Sequence, residues 1–98
     1  MSDVETVEKT TVKLKKPSRW AVVLHNDDVT PMDFVVELLN FIFKMSIEQS
    51  TELMITVHTK GKGIAGIYPF EVAEQKLAEA NTYILVSGHN LKLSLEEQ

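Results

Sequence analysis

The chain has 98 residues, 44% of them hydrophobic and 24% charged, and a formal net charge of −4. That length fits one small domain, and the negative balance argues against a general binder of nucleic acid or anionic membranes. The absence of cysteine excludes disulfides and thiolate metal sites, and no apolar run approaches the roughly 18 residues a membrane span needs.

Met1 to Ser18 is rich in Thr, Lys, Glu and Val and holds no aromatic residue. It cannot build a core and is read as a disordered arm, residues 1–18, ahead of a core domain, residues 19–98. The arm has no apolar h-region and no arginine, so no secretory or organelle leader is expected and a soluble, cytoplasmic protein is.

"RWAVVLH", Arg19 to His25, is a short β-branched run that predicts a strand. After the loop "NDDV", the sequence "TPMD" predicts a helix start. Thr30 suits the N-cap, Pro31 the first helical position, and Asp33 the positive end of the helix dipole. This helix runs to about Phe43 with Val35, Leu38, Leu39 and Ile42 inward. "SIEQ" is a capping box of Ser46 and Gln49 that opens a second helix to about Thr59, with Ile47, Met54, Val57 and His58 near one face. Gly61 suits its left-handed end, and "KGKGIAGIY" predicts a glycine-punctuated strand. Pro69 opens a third helix carrying Ala73, Leu77, Ala80 and Ile84 at helical spacing, and Gly88 ends it. "NLKLSLEEQ" alternates Leu91, Leu93 and Leu95 with polar residues, the pattern of a half-buried strand. The order β-α-α-β-α-β predicts an α+β fold: a small two-layer domain whose three-stranded antiparallel sheet is packed by three helices.

The loop "LHNDDVTPMDF" is overloaded. Capping accounts for Thr30, Pro31 and Asp33, and one of Asn26, Asp27 or Asp28 can close an Asx turn. At least one carboxylate and an amide remain, and a solvated loop is the plain alternative. His58 lies one helical turn after Met54, so their side chains are neighbours. A lone His near a helix C-terminus is more often a surface or core residue than a site. His25, Asp27, Asp28 and His58 are zinc-compatible types, but no pair has a helical metal spacing, so no metal or cofactor is expected. No Ser or Cys sits in a nucleophile motif and "GKGIAG" is no phosphate loop, which argues against an enzyme. His89 and Trp20 read as structural.

"NDDVTPMDFVVELL", then "MITVHTKGKGIAG", then "EVAEQK", resemble the ClpS family of adaptor proteins in order, spacing and intervening lengths from about Trp20 to Leu95. The resemblance implies a non-catalytic adaptor of the N-degron pathway with the small α/β fold read above. Such an adaptor binds proteins whose first residue is Phe, Tyr, Trp or Leu. It hands them to a AAA+ unfoldase, ClpA or ClpC, that feeds the ClpP peptidase, and it modulates the unfoldase's choice of substrate. It further implies that Asn26, Asp28 and His58, with Asp27 beside them, hold the substrate's α-amino group. Thr30, Met32, Val35, Met54, Val57 and Leu91 match the apolar pocket, Met32 as the gatekeeper against β-branched side chains. Glu71 and Lys76 match the face that docks on the unfoldase, and the adaptor is expected to be a monomer. Three departures stand out: Val29 where an aromatic is common, His25 where an apolar residue is common, and Pro69 where Thr is usual. The first two flank the site and bear on the range of accepted first residues.

The chemistry is compatible with that assignment. A terminal ammonium has three N–H donors and a positive charge, so sinking it in a cleft takes acceptors on several sides and a carboxylate. Asn26, Asp28 and neutral His58 are such acceptors, and two methionines make an adaptable apolar wall. Two other readings remain at this point: a docking module that regulates an unfoldase without binding degrons, and a metal-dependent enzyme built on His25, Asp27, Asp28 and His58.

Overall fold

The computed structural model describes residues 18–98; the expected disordered arm, residues 1–18, lies outside the described residues except for Ser18. The elements are β1 (Arg19–His25), α1 (Met32–Ile42), α2 (Ile47–Lys60), β2 (Lys62–Pro69), α3 (Phe70–Val86) and β3 (Leu93–Glu97). Both sheet pairings are antiparallel in the order β2-β1-β3, which is the predicted α+β arrangement.

β1 is the central strand, so a neighbour covers each of its edges, and Ala21 to Leu24 are all buried. Val22 and Leu24 join the core shared with Phe34, Leu38, Leu39 and Val57 of the helices. Val22 pairs with Gly66 and Val23 with Ile64, so Ala65 is the extra residue of a β-bulge. Gly63 lets β2 pass close under α2, because a Cβ there would meet Leu53 Cδ1 at 2.8 Å and Val57 Cγ2 at 3.1 Å.

The Ser46–Gln49 capping box forms reciprocally, and Gly61 ends α2 at φ 94°. The start of α1 differs from expectation. Pro31 is its N-cap, with ψ 142°, and no side chain caps the helix. A residue before proline is pushed toward extended backbone, and Thr30 lies one residue ahead of the cap, its hydroxyl donating to the Asp27 carboxylate. Pro69 is likewise an N-cap that finishes β2, with ψ 154°. Of the residues grouped near one face of α2, Val57 is buried and Ile47 is exposed; Ser50, Leu53 and Val57 are the inward face. Phe34 and Phe43 join the buried side of α1, while Ile42 and Leu77 are half-buried. Trp20 is half-buried and packs edge-on against Phe70, 5.0 Å between ring centroids.

Candidate functional site

Two backbone bonds fasten the loop that follows β1. The His25 N–H donates to Lys92 O at 3.0 Å and the Asn26 N–H donates to Gly61 O at 2.9 Å. The second bond sets Asn26 against the C-terminal end of α2, whose last turn carries His58. The His25 side chain is occupied elsewhere. Its Nε2 is 2.7 Å from Ser94 Oγ on β3, a tie across the sheet edge.

Asp27 is the hub of the turn. Its Oδ1 accepts from the Val29 N–H at 3.3 Å and its Oδ2 from the Thr30 hydroxyl at 2.5 Å, an Asx turn reinforced from the side. The Thr30 hydroxyl, followed by the Val29 N–H, holds the Asp27 carboxyl below its ordinary range against the opposing effect of desolvation. His89, packed on Phe34 with centroids 4.2 Å apart, adds a smaller electrostatic contribution. The Asn26 amide Nδ2 donates to Asp28 Oδ1 at 3.1 Å. That bond turns the amide nitrogen of Asn26 toward Asp28 and leaves its oxygen to accept.

These pieces enclose a cavity of about 250 Å³. Asn26, Asp27, Asp28 and His58 supply its polar side. Thr30, Met32, Val35, Met54, Val57 and Leu91 line it as well, so the residues expected to hold the amine and to form the apolar pocket meet here, while His25 does not line it. Val29, which the sequence placed beside the site, also lines it, and so does Pro31, which was missed; Pro31 sits inside the motif, and continuity of the turn was the signal for it. Val29 is 87% exposed and Met32 47% exposed, which places them at the mouth. The C-terminal end of α2, the negative end of its dipole, lies on the polar side and favours a cation there. Neither Asp28 Oδ2 nor the His58 ring has a hydrogen-bond partner among the described residues.

Glu71 and Lys76 stand apart from this cavity. They are five positions apart on α3, about 140° around the helix axis. Glu71 is exposed in the first turn. Lys76 Nζ donates to Ile42 O at the end of α1, 3.0 Å away, and lies 3.8 Å from Glu79. Lys76 therefore also ties α3 to α1. Among the described residues no three His, Asp or Glu side chains converge on a possible metal position, and no helix is long and apolar enough to cross a membrane.

The family model for "ATP-dependent Clp protease adaptor protein ClpS" matches residues 15–94. An ATP-dependent Clp protease adapter protein ClpS from Shewanella pealeana is 50% identical over 96 residues, covering 97% of this chain and 94% of the relative. One from Vibrio atlanticus is 45% identical over 93 residues, covering 95% and 88%. Among solved structures, Agrobacterium tumefaciens ClpS2 bound to L-phenylalaninamide superposes with a TM-score of 0.81 at 31% identity, covering 85% of this chain and all of that one.

Proposed function

The chain belongs to the ClpS family of ATP-dependent Clp protease adaptor proteins, which are adaptors and not enzymes, and from that premise we propose that its cavity captures proteins by a free, bulky hydrophobic first residue. Phe, Tyr, Trp and Leu are the residues it takes. The observation that carries this reading is the junction, in one cavity, of an apolar chamber with acceptors on Asn26, Asp28 and His58 that no other group among the described residues occupies. L-Phenylalaninamide, seen in the Agrobacterium relative, has both groups such a cavity would read: a free amine and an aromatic side chain.

The ammonium donates to Asn26 Oδ1, to the Asp28 carboxylate and to a neutral His58 ring nitrogen. Asp27 holds the turn that aims the first two and adds negative charge. The first side chain enters between Thr30, Met32, Val35, Met54, Val57 and Leu91. Burying it contributes about 1.5–3 kcal/mol, and a charge-assisted hydrogen bond about 1.5–3 kcal/mol. Either alone gives weak binding, so affinity requires both. Met32 at the mouth narrows the entry against a side chain branched at Cβ.

The captured protein is then delivered by a monomeric adaptor to a AAA+ unfoldase of the ClpA or ClpC type and degraded by ClpP. Glu71 and Lys76 make the docking face, and docking also biases which other substrates the unfoldase takes. Lys76 presents its charge from a fixed position because Ile42 O holds it. The test is a titration with peptides that differ only at residue one. Phe, Tyr, Trp and Leu bind, and Val and Ile bind at least about tenfold more weakly, about 1.4 kcal/mol. Val binding as tightly as Leu would overturn the role given to Met32.

A further inference from the structure

With no cysteine in the chain, its readily oxidised sulfurs are the thioethers of four methionines. Two of them, Met32 and Met54, wall the cavity. Met45 and Met54 are partly buried against the core. Met32 opens α1, is 47% exposed and belongs to no part of the core. The methionine that solvent reaches best among the described residues is thus also the one at the mouth.

We propose that Met32 is an oxidation site, and that its conversion to the sulfoxide by a peroxide closes the cavity to hydrophobic first residues. This rests on the reading of the cavity as the pocket for the first side chain. In the step, a sulfur lone pair attacks one peroxide oxygen. The S–O bond forms, the O–O bond breaks, and the departing oxygen leaves as water with both peroxide protons. Sulfur loses two electrons and the peroxide gains them.

The product is a strong acceptor, and the apolar side of the cavity, where Met32 sits, offers it no free donor. Val35 and Met54 are apolar, and the Thr30 hydroxyl already donates to Asp27. When a substrate side chain enters, the sulfoxide oxygen must lose its water without replacement or swing outward and leave the wall open. Both weaken binding. The fold is spared because Met32 is not packed in the core, and Glu71 and Lys76 lie elsewhere. Oxidation therefore empties the adaptor without unfolding it, and a thiol-dependent methionine sulfoxide reductase reverses it.

The experiment treats the full chain with hydrogen peroxide, maps sulfoxides by mass spectrometry and measures the Kd of a peptide beginning with Phe. Met32 is expected to oxidise ahead of Met45 and Met54, with saturating peptide protecting it. Kd is expected to rise about tenfold or more and to return after reductase treatment. M32L, whatever its starting affinity, is expected to show the same Kd before and after peroxide. If complete Met32 oxidation leaves Kd unchanged, or M32L loses affinity in the same proportion, the proposal is wrong. The reductase arm decides the matter if M32L does not fold. Untreated protein that fails to bind the peptide defeats the pocket reading itself, and this proposal with it.

Discussion

Replacing Asp28 with asparagine removes a charge and keeps the side chain's size. Asp28 Oδ1 accepts from the Asn26 amide at 3.1 Å, and that bond turns the Asn26 oxygen into a free acceptor. In the proposed complex the carboxylate would balance the ammonium. A hydrogen bond to a charged group contributes about 1.5–3 kcal/mol, and Asp28 is exposed, so solvent screening moves the loss toward the lower figure. About 1.5 kcal/mol corresponds to roughly a tenfold change. The Kd of a Phe-first peptide should therefore rise about tenfold in D28N at low salt, and less at high salt. N26A should also weaken binding, because it removes one acceptor and the partner that Asp28 orients. The two residues act as a unit, so the double variant should cost less than the sum of the singles. Fluorescence anisotropy with a labelled peptide reads all three, with circular dichroism to establish that each variant is folded. D28N within twofold of the parent, or strict additivity, would refute this reasoning.

Thr30→Val removes the donor that chiefly lowers the Asp27 pKa, so that pKa should climb toward the usual carboxylate value in a side-chain carboxyl NMR titration. An unmoved value contradicts the hydrogen-bond assignment. In the parent the folded-state pKa of Asp27 lies below the unfolded one, about 3.9. The stability Asp27 contributes is therefore complete above that pH and fades as pH falls through the lowered folded value. Gly63→Ala places a Cβ 2.8 Å from Leu53 Cδ1, and overpacking of that kind costs about 1–3 kcal/mol. A lower Tm is the expected result, and an unchanged Tm would deny the close approach. His25→Val breaks the bond to Ser94 and should cost about 1 kcal/mol in denaturant melts. Because His25 does not line the cavity, peptide affinity should stay as it was, and a large loss would place His25 in the site after all.

Local chemistry made much of this legible in the sequence. The Ser46–Gln49 box, the left-handed Gly61 and the apolar periodicities act within a few residues, and they fixed the order of elements. The loop was harder. "NDDVT" announces a surplus of acceptors, but which oxygen meets which donor depends on how Pro31 orients the chain. Thr30 therefore left the cap for Asp27. His25 had no local explanation because its partner, Ser94, is 69 residues away. The bond from Lys76 to Ile42 O spans 34 residues and was hidden for the same reason. Residues that wall the cavity come from β1's exit, both neighbouring helices and the approach to β3. Their convergence needs the tertiary fold, and only the resemblance to a known family brought them together beforehand.

The central claim is that the cavity reads a free α-amine joined to a bulky apolar side chain. Two peptides with the same sequence and Phe first, one with a free N-terminus and one N-acetylated, test it most directly. Acetylation removes the charge and leaves a single N–H donor while the Phe ring is unchanged. Calorimetric titration should show binding of the free peptide and none of the acetylated one at the same concentrations. Equal affinity for the two would contradict the account, whatever the side-chain preferences.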